Sequence, residues 1–560
     1  MNALANISTL NRDRRRLTAI YADRRAAVAS STQRVVSLVS LSRRIPDEFI
    51  AQILAEALCR ESNRSVLLIH LVQSDGNLSL HDWRTLYPGL NGQFGLATQV
   101  KTGRGRAPFL RLEVSDPADD PSGVATLVDH CRRHFDYVLF NIGVDVPPAV
   151  LTEAVLQGDI AYLLVDPTAE NFYHRDLLLR ELRSRSGTPV QSHTIVCRER
   201  GEEQGNKLLK ALGPVVHGFI HGCPNRSSTA VPPWSDKHFN SDIRRLAREI
   251  SRRRIGLALS SGGARSLAHI GVIQVLEENG IEVDVVAGCS MGAYIGSVWA
   301  YGSDGIEMER LAREVENRWG LLQLIDPFIL PRQGFLRGEK VKRRLKNSIG
   351  DVHFSELVRP LRIVATNLNT LERTVFFSGE VATAVHASSA IPGACAPVKV
   401  DDELFIDGGI SDPLPVDVLE EMGIERIIAV NTIPTAAYLR MRFEMDREQA
   451  RLRGKKPSRV KLFMRHYLNY FAPGNILDTI LRSFHGAQMR VAEESCLHAD
   501  VVLRPLSFDG RWHDFRHPGK YIALGRREAE EHLDEIKALV SRKEPEYEYA
   551  SAQHTMASAT

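Results

Sequence analysis

From Arg34 to about Pro224 the chain alternates short, almost wholly apolar runs with longer stretches whose apolar residues recur at helical spacing. RVVSLVSL, SVLLIHLV, YVLFNIGV, AYLLVDP, TIVCRE and VVHGFIHG have strand length, and FIAQILAEALC reads as a helix after the first of them. Apolar runs without polar alternation belong to strands buried on both faces, so this block is expected to fold as a parallel α/β sheet. A second block opens at Ile255. There IGLALS leads through the glycine turn SGGARS into the helical HIGVIQVLEE, and VDVVAG leads through Gly288-Cys289-Ser290-Met291-Gly292 into the small-residue helix AYIGSVWA. Further on, LRIVATNLNT and RTVFFSG read as adjacent strands, and ASSAIPG as a helix end broken by Pro392. ELFIDGG reads as a strand that delivers Asp407 to a glycine turn, IERIIAVN and ADVVLRPL as further strands, and GKYIALGRREAEEHLDEIKALV as the closing helix.

The stretches between and around these blocks are different in kind. Residues 236–253 are expected to be a linker and a basic helix, IRRLAREISRRR, serving either as a solvated connection or as a contact for anionic lipid headgroups. Within the second block, residues 439–471 mix ten Lys/Arg and three Asp/Glu with Phe, Met, Leu and Tyr, which suits an interfacial surface or lid and equally a surface helical insertion. Residues 1–33 are expected to be a basic arm, with RDRRR but no apolar core of the kind a secretion signal needs. Residues 541–560 are expected to be a disordered tail.

Composition changes this picture little. At 560 residues with 43% apolar and 25% charged positions the chain has room for two or three ordinary globular domains. A net charge of +3 gives no global field for nucleic acid, so any attraction to a membrane must come from local patches. Seven cysteines are scattered singly with no C-x-x-C, which favours a reducing compartment and no zinc site. No window reaches the roughly 18 apolar residues a spanning helix requires. The expected location is therefore cytoplasmic, or peripheral at a membrane.

The chemistry lies in the two turns of the second block. A serine at a sharp strand-to-helix turn is held out from the backbone, flanked by glycines because side chains there would collide with strand and helix, so Ser290 is the candidate nucleophile. The helix after it points N–H groups at the turn, and the turn of Gly262, Gly263, Ala264 and Arg265 offers a second set for a developing oxyanion. Cys289 reads as packing at the elbow. Histidines downstream, at 386, 485, 498, 513 and 517, lack a strand-end glycine context; Asp407, before Gly408 and Gly409, has it.

These residues carry a resemblance to the patatin-like phospholipases. SGGARS resembles that family's oxyanion-hole motif, GCSMG its nucleophile elbow, ASSAIPG its helix-end signature and DGG its aspartate motif. The likeness is to the neuropathy-target-esterase branch, through GGARSLAHIGVIQVLEENGIEVDVVAGCSMGA, GFLRGEKV and DGGISDPLPV, over roughly residues 245–530. The resemblance implies a three-layer α/β/α hydrolase domain over residues 254–540, a Ser290–Asp407 dyad without histidine, a phospholipid or lysophospholipid substrate, and neither metal nor cofactor. Ser261 and Ser266 depart from the family's glycines, and Asp412 from a common asparagine.

The first block, residues 34–235, resembles a MinD/ParA-like P-loop domain. Where a phosphate loop should follow the first strand stands SLSRRIPDEF, without its glycines, lysine or magnesium-binding hydroxyl, so a degenerate fold acting as spacer, homo-oligomer surface or regulator is expected. The expected activity is serine esterase action on (lyso)phospholipids, with no nucleic-acid partner. Its rivals are a lipid-binding scaffold without catalysis, a Ser-His-Asp esterase, and an ATPase-like switch.

Overall fold

The computed structural model describes residues 35–72, 110–115, 122–132, 135–187, 190–199, 208–209, 215–223, 236–316, 326, 336–453, 476–506 and 513–542. The arm, residues 543–560 of the tail, and residues 454–471 of the basic aromatic stretch lie outside them. The chain divides into two compact units, Met1–Arg253 and Arg254–Thr560.

The first unit contains β1 (Val35–Ser40), α1 (Asp47–Ser62), β2 (Val66–Val72), β3 (Leu110–Ser115), α2 (Ser122–Arg132), β4 (Tyr137–Ile142), α3 (Pro148–Leu156), β5 (Ile160–Val165), α4 (Ala169–Ser186), β6 (Ser192–Cys197), β7 (Gly218–Ile220) and α5 (Lys237–Ile250). Its sheet runs β3-β2-β4-β1-β5-β6-β7, with every pair parallel. The wholly buried β1 is central, and its apolar side chains alternate between two cores: Val36 and Leu38 join α1 and α5, whereas Val35 and Val39 join α2 and α3. Helices therefore cover both faces. The strand β3, LRLEVS, was not anticipated from sequence.

One expectation needs correction. The basic helix of residues 236–253 is neither a linker nor solvated all round, because Phe239, Ile243, Leu246, Ala247 and Ile250 of α5 are buried in the first unit's core. Its arginines are engaged as well. Arg244 and Arg248 meet Glu61 at 3.1 and 3.3 Å, and Arg245 meets Asp242 at 2.7 Å.

The second unit contains β8 (Ile255–Leu259), α6 (Ala268–Glu278), β9 (Val285–Cys289), α7 (Met291–Tyr301), α8 (Gly305–Arg313), α9 (Glu339–Ile349), β10 (Leu361–Asn367), β11 (Arg373–Phe376), α10 (Val381–Ser388), β12 (Val398–Val400), β13 (Glu403–Asp407), α11 (Val416–Glu421), β14 (Arg426–Val430), α12 (Ala436–Arg453), α13 (Ile476–Cys496), β15 (Val501–Leu503), α14 (Pro518–Glu531) and α15 (Leu533–Ser541). The sheet runs β12-β13-β10-β9-β8-β14-β15, with β11 also on β10. Strands β10, β9, β8, β14 and β15 are parallel, while β11, β12 and β13 are antiparallel additions. Leu257 and Leu259 face a core shared with α6, α7 and α14; Ala258 and Ala287 face one shared with α11 and α13. This is the expected three-layer α/β/α arrangement.

Register decides where the chemistry falls. On β10, Ile363 and Val364 pair with both β9 and β11, and Ala365 and Thr366 pair with both β13 and β11. Since β11 takes one edge, β9 and β13 must share the other. β9 leaves that edge at Cys289 opposite Val364, and β13 reaches it at Asp407 opposite Ala365. The two strands meet head to head.

Candidate active site

That meeting point brings Ser290 against Asp407. The Ser290 hydroxyl donates to Asp407 Oδ2 over 2.7 Å, and Gly409 N–H donates to Asp407 Oδ1, also over 2.7 Å. Ser290 is 7% exposed and Asp407 1%. Burial pushes the Asp407 carboxyl up to about 6, against the pull of the hydrogen bonds from Ser290 and Gly409. It thus stays ionised at neutral pH yet is a better proton acceptor than a solvated aspartate.

Ser290 has φ 54° and ψ −119°. A non-glycine residue there is strained by an amount on the order of 1–3 kcal/mol and persists only where its surroundings dictate it. Immediately after it α7 begins, and close packing explains the glycine two positions on: a Cβ on Gly292 would lie 2.3 Å from the Leu259 carbonyl oxygen and 2.6 Å from that of Ser260. Helix α7 therefore abuts the start of the glycine turn. Because Leu259 of β8 pairs with Gly288 of β9, turn and elbow leave the same sheet edge side by side.

The glycine turn is a short 3-10 helix, Gly263–Leu267, whose first N–H groups have no partner inside the helix. A buried hydroxyl network fixes its base. Thr432 N–H donates to Ser260 Oγ (2.9 Å), Thr432 Oγ1 donates to the Ser261 carbonyl (3.0 Å), and Ser266 Oγ lies 3.1 Å from Thr432 Oγ1. His269 completes it from α6, its Nε2 2.9 Å from the Ser260 carbonyl; burial holds this imidazole down at about 4, so it is neutral and donates through Nε2. The two serine departures are thus structural parts of the loop. Ser266 is fully buried among hydroxyls and does not cap α6, and Ser261 Oγ accepts from Gln488 over 3.3 Å.

Arg265 is 8% exposed, and its Nε donates to the Gly262 carbonyl over 3.4 Å, supporting the turn from within. Burial lowers it to about 10. Burial also pushes the Cys289 thiol well above its usual range, so Cys289 is packing and not a thiolate. Asp412 is held up to about 6 by burial and is paired with Arg373 of β11 at 3.2 Å, a partner that an asparagine would not need. Gly408, Gly409 and Gly288 are buried around the dyad, while Met291 packs partly buried against the core.

None of the histidines at 386, 485, 498, 513 and 517 is seen to bond to Ser290 or Asp407 among the described residues. His386 Nε2 lies 3.1 Å from the Arg337 carbonyl, His498 pairs with Glu420 at 3.1 Å, His517 pairs with Asp514 at 2.8 Å, and His485 packs beside Phe484. Residues missed by sequence reasoning are Ser260, His269, Thr432 and Gln488. All four are ordinary in type, and only the fold collects them.

Among the described residues, two groups offer three ligand atoms within 4.8 Å of one another. In the first unit, His193 Nδ1, His217 Nε2 and the Tyr162 hydroxyl lie 3.1, 2.8 and 3.0 Å from Glu249 Oε1. The imidazoles stack at 3.7 Å and 13°, and both rings share the one Glu249 carboxylate oxygen with the tyrosine. Asp417, Glu420 and His498 form the other group, of which Asp417 and His498 are exposed.

Residues 257–420, within the second unit, match the family model of the patatin-like phospholipases. More particularly, over 181 residues the chain is 42% identical to an NTE family protein of Mycobacterium tuberculosis, covering 32% of this chain and 49% of that protein. Over 226 residues it is 31% identical to lysophospholipase nte1 of Aspergillus fumigatus, covering 40% of this chain and 15% of that protein. The chain thus spans half or less of these relatives' length. Among solved structures, the MinD cell division protein of Aquifex aeolicus overlaps 39% of this chain and 96% of its own at 19% identity and TM-score 0.29. VipD from Legionella pneumophila overlaps 50% of this chain and 67% of its own at 15% identity and TM-score 0.26. Such scores add nothing to what each unit's own strand order shows.

Proposed function

We propose that this protein is a serine esterase that hydrolyses acyl esters of phospholipids or lysophospholipids through a dyad of Ser290 and Asp407. The observation that carries the reading is the 2.7 Å hydrogen bond from a strained, strand-end serine to a buried carboxylate. Asp407 takes the hydroxyl proton as Ser290 Oγ attacks the acyl carbonyl, and the N–H groups of Gly262, Gly263 and Ala264 stabilise the oxyanion. Collapse expels the alcohol, which leaves with the proton from Asp407. Water, deprotonated by Asp407, then attacks the acyl-serine and releases the fatty acid. No step calls on a metal or cofactor.

Lipid is the substrate class named by the fungal relative, and exposed apolar side chains support contact with a lipid surface. Among the described residues, no helix is long and apolar enough to cross a membrane. On α12, Leu439, Met441, Phe443 and Met445 are 43%, 47%, 68% and 43% exposed. At 100° per residue the first and third share one side and the second and fourth the opposite one, so α12 offers a lipid surface two separate apolar edges and not one continuous face.

The test is hydrolysis of lysophosphatidylcholine and a diacyl phospholipid by the whole chain and by Ser290→Ala. Fatty acid release that Ser290→Ala abolishes is expected. Release that survives this substitution, or none from either lipid by the whole chain, would overturn the reading.

A further inference from the structure

Sequence marks ASSAIPG only as a helix end, yet in the fold it touches both members of the dyad. The hydroxyl of Ser388, the last residue of α10, accepts a hydrogen bond from the Ser290 backbone N–H over 2.8 Å and donates one to the Val364 carbonyl over 2.6 Å. Two residues on, the Ala390 carbonyl accepts from the Asp407 N–H over 2.9 Å. Ser388 is fully buried, so no solvent water stands ready to replace its hydroxyl. Val364 pairs with Cys289, so the bridge is anchored on the strand that holds the elbow.

We infer that Ser388 is a positioning residue of the esterase site, whose hydroxyl clamps the Ser290 amide while the Ala390 carbonyl clamps that of Asp407, so that one three-residue segment sets the distance from nucleophile to base. This rests on the reading of Ser290 and Asp407 given above. The clamp fixes the unusual φ and ψ of Ser290 by occupying its N–H, the group that would otherwise turn with the backbone as the strain relaxes. It also removes that N–H from the oxyanion, leaving the glycine turn to carry the charge. Without the hydroxyl, the Ser290 amide is buried without the partner it has here, and the elbow relaxes away from Asp407.

The experiment uses the full chain and follows the second-order rate of labelling by a fluorophosphonate across pH. Ser388→Ala is expected to label on the order of 10- to 100-fold more slowly, the scale of a misplacement near 1 Å, with KM for a soluble ester little changed. Its acid limb should also rise above the wild-type value near 6, because the hydrogen bond from Ser290 is what holds the Asp407 carboxyl down. Ser297→Ala serves as comparison. Its hydroxyl is equally buried but donates to the Tyr294 carbonyl within α7, so its loss should cost stability and neither rate nor acid limb. If Ser388→Ala does not fold, Ser388→Cys, similar in shape but a poorer acceptor, reads the same two shifts. A Ser388 variant with the wild-type rate and acid limb, or a loss that Ser297→Ala matches, overturns the proposal alone. Labelling retained by Ser290→Ala overturns the site and the proposal together.

Discussion

Asp407 loses most of its hydration in this fold and, among the described residues, keeps two donors, Ser290 and Gly409. That imbalance has two measurable consequences. The carboxylate must be ionised to act as base, so kcat/KM should fall as pH drops through about 6, with a single ionisation, in the pH profile for a soluble ester. Stability should run the other way. A folded-state value raised from 3.8 to about 6 means that the folded protein binds this proton more tightly than the unfolded chain, so ionisation costs about 3 kcal/mol in full above pH 6 and nothing below pH 4. Asp407→Asn is accordingly expected to lose on the order of 10³-fold in turnover while melting higher than wild type at pH 8, with the gap closing between pH 6 and 4. Substitution of His386, His485, His498, His513 or His517 should leave most of the activity. A histidine variant that folds and falls as far as Asp407→Asn would mean a Ser-His-Asp mechanism.

At the scale of elements, the site exists because β9 and β13 abut on one edge of β10, and because helices come close enough to hold the turns. Helix α6, which follows the glycine turn, packs on α14 so closely that a Cβ on Gly525 would sit 1.9 Å from the Ala268 carbonyl oxygen. Gly525→Ala should therefore lower stability by about 1–3 kcal/mol through overpacking, measured by thermal melting; an unchanged Tm would show that the pair can separate freely. Elements with one strong local signal were legible in the sequence: the buried runs of β1, β2, β4, β5, β8, β9, β10 and β14, the two glycine turns and the ELFIDGG strand. β3 alternates apolar with charged residues and follows a long polar stretch, and β12 has only three residues, so neither stood out. The arginines of α5 outweighed an apolar stripe of Phe239, Ile243, Leu246 and Ile250 that shows its helical period only once a partner face is known. Ser290 and Asp407 were legible because their glycine contexts are local. Ser388, His269 and Thr432 were not, since their roles come from partners 98, 9 and 172 residues away.

Across the whole molecule, the esterase reading belongs to the second unit, and the first is a seven-stranded parallel sheet for which we propose no nucleotide-phosphate site. Helix α1 opens on Pro46 with Asp47 and Glu48 in its first turn, where bound phosphate would need bare N–H groups and no negative charge. Ser42 Oγ, in the loop after β1, is already committed to Asp166 over 2.8 Å. The full chain should show no magnesium-dependent ATP binding by calorimetry, and micromolar affinity would contradict this account of the first unit. The central claim is that Ser290 is a live nucleophile, and it is tested most directly by labelling the full chain with a fluorophosphonate and mapping the modified peptide. The account predicts one adduct, on Ser290, absent from Ser290→Ala although that variant folds normally. An adduct on Cys289 or another side chain, or undiminished labelling of Ser290→Ala, would contradict it.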